Sequence, residues 1–341
     1  MTQTYDIAVV GATGLVGESL LSILAERNFP AGKVYALASE RSLEKEAEFG
    51  RRMLDVEELA GFDFTKVQIA FFATDAEVAA EYVPQAVEAG CVVIDNSAQF
   101  RMDADVPLVI PEVNPEAVAD YKERNIIASP ASSTIQLLLA LKPLHDVATI
   151  SRVNVATYQA VSGVGRKAVD ELAAQAASLL GGRPVEAAVF GKQMAFNVLP
   201  QVDLPLLNGY TVAEMAIVEE TRKVLGMPDL PVNPSVVWVP VFFGCSAAVQ
   251  VETQQKLTAA AARDILQQAS GVEVMDGDED DAYPTPVVDA ANNDSVYVGR
   301  IREDLSHPTG LNLWVVVDNV RKGAALNAVQ IAELLIKNAL T

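Results

Sequence analysis

The chain has 341 residues, room for roughly two domains at about 150 residues each. Half of them are hydrophobic and 21% are charged, which excludes the disordered and coiled-coil classes. Its 25 Lys and Arg against 45 Asp and Glu leave a formal net charge of -20, which repels phosphate backbones and anionic lipid, so neither nucleic acid nor membrane is an expected partner.

The first apolar run, Asp6 to Val10, shows no alternation and ends in Gly11-Ala12-Thr13-Gly14-Leu15-Val16-Gly17, followed by a helical spacing to about Arg27. That order reads as buried strand, glycine turn and helix. Short apolar runs follow at Val34 to Ala38, Val67 to Phe72 and Val92 to Asp95, with helical spacing from Ala76 to Ala89 between the last two. Such alternation predicts an α/β, Rossmann-type doubly wound parallel sheet. From about Ser151 the runs lengthen, at Val153 to Tyr158, Ser235 to Phe243 and Asn312 to Val317, and predict a second, α+β domain with a mixed or antiparallel sheet. Asp276 to Asp281 reads as an acidic surface loop without the spaced ligands of a calcium site. The segment Ala324 to Ala339 has the spacing of a helix. The N-terminus lacks a basic stretch before its apolar run, and no run is long enough to span a bilayer, so a cytoplasmic protein is expected. Cys91 and Cys245 stand far apart beside only His145 and His307, and no metal site is expected.

Gly11, Gly14 and Gly17 form G-x-x-G-x-x-G, a variant of the dinucleotide fingerprint. Its glycines allow a tight turn, a close approach to a pyrophosphate and close helix-to-strand packing, and the helix N-terminus faces the negative charge. After the second strand comes Ser39-Glu40-Arg41-Ser42. Arg41 with two hydroxyls favours the 2'-phosphate of NADP, while Glu40 keeps NAD possible.

Five stretches carry a resemblance: Gly11 to Gly17, Val93-Ile94-Asp95-Asn96-Ser97, Arg101 to Val109, Thr157-Tyr158-Gln159-Ala160-Val161-Ser162-Gly163 and Gly323-Ala324-Ala325-Leu326-Asn327-Ala328-Val329-Gln330. In order and over nearly the whole chain they resemble aspartate-semialdehyde dehydrogenase. The resemblance implies a dinucleotide-binding domain over 1–131 completed by a C-terminal helix at 321–341, and a substrate and dimerisation domain over 132–320. It implies that Gly11, Thr13, Gly14, Leu15, Val16, Gly17, Ser39, Arg41, Ser42, Asn96, Ser162, Gly163 and Asn319 surround an NADP-like ligand. It also implies reductive dephosphorylation of aspartyl phosphate to the semialdehyde, or the reverse. That chemistry needs a thiolate nucleophile, a histidine base, and cations for carboxylate and phosphate.

Those positions are changed here. The nucleophile stretch resembles Asn-Pro-Asn-Cys-Ser-Thr-Ile-Gln, but this chain reads Ser129-Pro130-Ala131-Ser132-Ser133-Thr134-Ile135-Gln136. Ser132 stands at the cysteine and Cys245 at the histidine, while Trp238 replaces the arginine that would hold the substrate carboxylate. In the Glu-Glu-x-Lys arrangement the first acid is Ala213 and the lysine Ala216, leaving Glu214. Only Arg101 and Gln159 of the expected substrate contacts are retained, and Ala73-Thr74-Asp75 replaces a Gly-Gly pair expected after the fourth strand.

Bland roles compete for each residue. Ser133 to Gln136 matches a capping box; His145 suits a helix end; His307 precedes Pro308 in a polar turn; Trp238 and Cys245 suit core positions; Arg101 has Asp103 and Asp105 nearby; Glu214 suits a solvated helix face. The expected protein is an NADP-binding homologue without the family's dehydrogenase activity, acting as a scaffold, sensor or subunit partner. An active oxidoreductase on a semialdehyde or a less charged aldehyde is the alternative. A homodimer is expected, with a heterodimer with an active paralogue as an extension.

Overall fold

The protein is described by a computed structural model over residues 3–277 and 282–338. Two compact units divide it, the first from the chain up to Ala131 together with the chain from Ala324, the second from Ser132 to Gly323.

In the first unit, β1 (Tyr5–Val10) runs into Gly11, and α1 (Leu15–Glu26) starts from Gly14. The buried Leu20, Leu21, Ile23 and Leu24 line the inner face of α1. β2 (Ala31–Ala38) lies parallel to β1, with Val9 opposite Ala36. Next come β3 (Glu46–Phe49) and β4 (Arg52–Glu58), an antiparallel hairpin whose second strand pairs in parallel with β2. The sequence did not signal this hairpin, because four residues of Glu-Ala-Glu-Phe are too short a period to separate from a loop. β5 (Ile69–Phe72), α2 (Ala76–Glu88), β6 (Val92–Asp95) and β7 (Ile126–Ala128) complete the sheet. Its order is β3-β4-β2-β1-β5-β6-β7, and β3 alone runs antiparallel to its neighbour. The connection out of β1 goes to one side and the later strands to the other, so β1 is the point where the order reverses, which in open α/β sheets opens a crevice at the strands' carboxyl ends.

The second unit opens with α3 (Ser132–Ala148) and β8 (Ile150–Gln159), followed by α4 (Arg166–Leu180), α5 (Val212–Leu225) and β9 (Val232–Trp238). The run expected to continue to Phe243 leaves the sheet at Trp238, because Val239 and Pro240 begin an irregular return. β10 (Cys245–Thr253), α6 (Ala259–Gln267), β11 (Val272–Val274), β12 (Val296–Glu303) and β13 (Gly310–Val317) finish it. The mixed sheet has the order β11-β12-β13-β10-β8-β9. Helices α3, α5 and α6 pack on it, and Val153, Val155, Val249, Val251 and Leu313 are buried on alternating positions, as period two requires. The alternate residues Asn154, Ala156, Ala248, Gln250 and Asn312 keep partial exposure on the other face.

Finally α7 (Asn327–Asn338) belongs to the first unit, where it packs with α1 and an ion pair joins Arg27 to Glu333 at 2.7 Å. Ile331, Ala332 and Leu335 enter the core that contains Val9 and Phe71. The acidic run has a different role where it is described: the Asp276 carboxylate accepts from the Arg263 guanidinium at 2.6 Å and from Ile301 N–H. Residues 278–281 of that run, and 339–341 of the expected C-terminal helix, lie outside the described residues. Among the described residues no helix is long and apolar enough to cross a membrane.

Candidate functional site

In the first unit the carboxyl ends of β1, β2 and β5 open on a cavity of about 460 Å³, lined among others by Gly11, Thr13, Ser39, Glu40, Ser42 and Thr74. Gly17 is what lets α1 sit there. A Cβ on Gly17 would fall inside the Gly11 carbonyl oxygen and lie 2.8 Å from the Ala12 Cα. Gly14 caps α1 with no side-chain hydrogen bond, so the first turn presents bare N–H groups. Thr13 Oγ1 donates to Ser42 Oγ at 3.3 Å and ties the glycine turn to the turn after β2. Leu15 and Val16 begin α1, where Val16 packs on the core. Arg41 is exposed on the Glu40–Ser42 turn, and it is Glu40 that lines the cavity.

Two polar groups at these strand ends carry the fit to a dinucleotide. The buried Thr74 Oγ1 and both amide atoms of Asn96 find no hydrogen-bond partner among the described residues. Such orphans are costly unless a ligand or water meets them. Thr74 lines the cavity together with Gly11 and Thr13 of the glycine turn, a polar setting suited to a pyrophosphate. The Ala73-Thr74-Asp75 sequence follows β5, since the unexpected hairpin adds two strands, β3 and β4, before it. Ala73 brings its carbonyl against Gly11, and Asp75 caps α2 by accepting from Val78 N–H at 3.0 Å. The sequence marked Thr74 only as part of the stretch that replaces a Gly-Gly pair, not as a polar group facing the cavity.

Arg124 pairs with both Asp103 and Asp105, at 2.8 and 3.2 Å. The Arg101 guanidinium donates to the carbonyls of Ser129 and Asn96 at 2.9 and 2.7 Å, bracing the ends of β7 and β6. The Asp95 carboxyl beside it is fully buried, and burial raises its pKa against two hydrogen bonds from Ser97.

In the second unit, the ends of β8, β9 and β10 bring together Gln159, Trp238 and Cys245. Gln159 stands opposite Trp238 in register, and its side chain donates to Thr157 Oγ1 at 3.4 Å. Trp238 is 9% exposed, meets Phe190 edge to face at 5.6 Å, and would lie 3.4 Å from a Cβ on Gly163. Cys245 is 3% exposed and its Sγ accepts from Ala160 N–H at 3.3 Å. Burial pushes its thiol up to about 12. Ser162 and Asn319 hydrogen-bond to each other at 3.0 Å, while Asn319 Oδ1 also accepts from Gly244 N–H.

Ser132 is the first residue of α3, and Gly323 closes over it, with a Cβ on Gly323 falling 2.7 Å from Ser132 Cβ. The expected capping box at Ser133 does not form. Helix α3 already begins one residue earlier, and Gln136 instead donates to the Val315 carbonyl at 2.7 Å, anchoring the helix to β13. Glu214 is not a solvated helix residue. It closes a capping box with Thr211 and also accepts from Val236 N–H at 3.3 Å, so it fixes the start of α5 to β9.

Neither histidine lies in these clusters. His307 sits at 3.8 Å from Glu252 beside its own turn. His145 Nδ1 accepts from Ile150 N–H at 3.2 Å instead of donating to helix carbonyls. Its pKa is lowered, by burial first and by Lys142, against the opposing effect of Asp146. Since the unfolded imidazole takes its proton near about 6.5 and the folded one later, stability contributed by His145 is full above that pH and declines as pH falls through it. Denaturation at neutral and mildly acidic pH should therefore show a decline that is smaller in His145→Asn, whose amide oxygen keeps an acceptor without titrating.

Comparisons with known proteins agree with this architecture. Residues 6–121 match the family model "Semialdehyde dehydrogenase, NAD binding domain", and residues 141–322 match "Semialdehyde dehydrogenase, dimerisation domain". The chain is similar to aspartate-semialdehyde dehydrogenase of Shewanella sp., 52% identical over 99% of both chains. It also resembles the crystal structure of aspartate semialdehyde dehydrogenase II from Vibrio cholerae, 51% identical with TM-score 0.96 over 99% of this chain and 100% of that one. A probable aspartate-semialdehyde dehydrogenase from Pseudomonas aeruginosa matches at 40% identity and TM-score 0.94, covering 98% and 99%. With a Rossmann-type NAD-binding domain and a mixed-sheet dimerisation domain matched along its length, the chain belongs to the aspartate-semialdehyde dehydrogenase family.

Proposed function

We propose that the chain is an NADP-binding member of this family that does not carry out the family's phosphorylating oxidation, and that works as a homodimeric scaffold, sensor or subunit partner. The observation that carries this is the state of Cys245. At the position where the family resemblance places the base, a thiol 3% exposed and pushed up to about 12 holds its proton at neutral pH and accepts a backbone hydrogen bond. It therefore serves neither as base nor as thiolate. Ser132 has no base to take its proton among these substitutions, and a helix dipole supplies only a small part of what a serine nucleophile needs. Trp238 puts an indole where a substrate carboxylate would need a cation.

When bound, a nicotinamide dinucleotide supplies a hydride acceptor or donor. The chain's part is to hold it: Gly14 and Gly17 against the pyrophosphate, Thr13, Ser39 and Ser42 on the adenosine side, Arg41 toward the 2'-phosphate, and Asn96, Ser162, Gly163 and Asn319 toward the nicotinamide. Titration calorimetry should show NADP binding more tightly than NAD, and Arg41→Ala should remove about 1.5–3 kcal/mol of that preference, the size of a hydrogen bond to a charged group. Equal affinities, or a preference untouched in Arg41→Ala, would remove the role given to Arg41.

A second reading is favoured by the Trp238–Phe190 contact and by Ala213 and Ala216: an oxidoreductase on a less charged aldehyde. NADPH formation from apolar aldehydes, absent with aspartate semialdehyde and phosphate, would select it. Heterodimer formation with an active relative is a further extension, tested by co-purification.

A further inference from the structure

The chain's two histidines stand at one end of the second sheet, the end remote from Gln159 and Cys245. There Ile150 of β8 lies opposite Thr253 of β10, and Thr253 N–H donates to the Thr309 carbonyl at 3.3 Å, just before β13 begins. The outer N–H groups of this row both end on an imidazole. Ile150 N–H donates to His145 Nδ1 at 3.2 Å, and Thr309 N–H to His307 Nδ1 at 3.4 Å. Between His145 and Ile150 the backbone is strained, because Thr149, a β-branched residue, takes a positive φ of 46°. Three holds keep that turn in place. Thr149 N–H donates to the His145 carbonyl at 2.8 Å, Gln254 N–H reaches the Ala148 and Thr149 carbonyls at 3.1 and 2.9 Å, and the His145 imidazole takes Ile150 N–H.

We propose that His145 and His307 form an acid-sensitive latch, which holds the α3–β8 corner and the start of β13 at neutral pH and releases them when the rings take protons. A neutral imidazole offers Nδ1 as an acceptor only while Nε2 carries the hydrogen, and the cation has two N–H donors and no acceptor. Protonation therefore sets N–H against N–H at both places. At His145 nothing replaces the lost bond. The charged groups facing this ring are Lys142 and Asp146, which pair with each other at 2.7 Å, and burial of the ring already opposes the proton. His307 faces the Glu252 carboxylate of β10, 3.8 Å from its Nε2, with Arg152 of β8 at 3.6 Å from the same carboxylate, and Asp304 on its own turn. Its proton thus trades a backbone bond for a carboxylate already shared with Arg152. Once the imidazole hold is gone, the strain at Thr149 favours opening. Helix α3 starts at Ser132 and β8 ends at Gln159, so this corner joins two elements that lead to the candidate site.

Hydrogen exchange read by mass spectrometry, corrected for the intrinsic effect of pH, tests the release. Between about pH 7.5 and about pH 5.5, either side of the ordinary imidazole range, protection over residues 149–153 and 309–312 should fall by about tenfold, as local opening does when a hydrogen bond is lost. His145→Asn/His307→Asn keeps an acceptor oxygen at each place without titrating, and should hold that protection at both pH values. Parent-like melting at neutral pH shows that this variant is folded. The same acid-dependent loss in the double variant, or no loss in the parent, overturns the latch. Imidazole nitrogen NMR of the parent decides independently of any variant. Both rings should be unprotonated at Nδ1 at neutral pH, and a hydrogen on Nδ1 of either ring overturns its acceptor role.

Discussion

Purified protein given NADP, aspartate semialdehyde and phosphate should produce no measurable NADPH. Loss of a general base alone costs about 10²- to 10⁴-fold, and under the proposed reading Ser132 stands where the thioester route needs its thiol. Ser132→Cys by itself should not restore turnover, because Cys245, Trp238 and Ala216 still stand where the base, the carboxylate clamp and the phosphate lysine would be. The combined change Ser132→Cys/Cys245→His/Trp238→Arg/Ala216→Lys is the minimal set with a chance of recovery, and its first hurdle is folding. Cys245 and Trp238 are buried, and a larger imidazole and a guanidinium in those spaces cost packing and desolvation. NADPH formation by the unmodified chain that disappears in Ser132→Ala would overturn the inactive reading.

The second large effect belongs to the glycine turn. Gly17→Ala should lower stability by about 3 kcal/mol, the upper range of overpacking, and should also abolish NADP binding. Both losses have one cause: the added Cβ would occupy the space of the Gly11 carbonyl and crowd Ala12. Either α1 moves off β1, which exposes part of the face built by Leu20, Leu21, Ile23 and Leu24, or the turn opens and its N–H groups lose their aim. Chemical denaturation and NADP titration of the variant read the two losses separately. Gly14→Ala is the contrast. A Cβ there would meet only the Gly11 carbonyl at 3.3 Å, so fold stability should change little while cofactor affinity still falls. Parent-like stability in Gly17→Ala would show that the helix needs no such close approach.

The composition and apolar periodicity were enough to determine the two architectures, because a strand buried on both faces reads as an unbroken apolar run, as in Val92 to Asp95, and a one-sided strand alternates, as in Val153 to Tyr158. The glycine spacing was likewise legible, since it is a matter of residue identity at motif positions, and Ser132, Trp238 and Cys245 enter the proposed reading only through the family resemblance. Burial and partnership were not. That Arg101 braces two carbonyls while Arg124 takes Asp103 and Asp105 depends on which chain segments fold alongside, and the spacing of charges says nothing of it. Glu214 reads as a surface acid until Thr211 and Val236 close on it, and Gln136 reads as a capping residue until β13 passes within its reach. A row of amides on the second sheet is the extreme case. Asn154, Asn233, Gln250 and Asn312 come from four strands, and only strand order and register, which are set by long-range pairing, put them in one line.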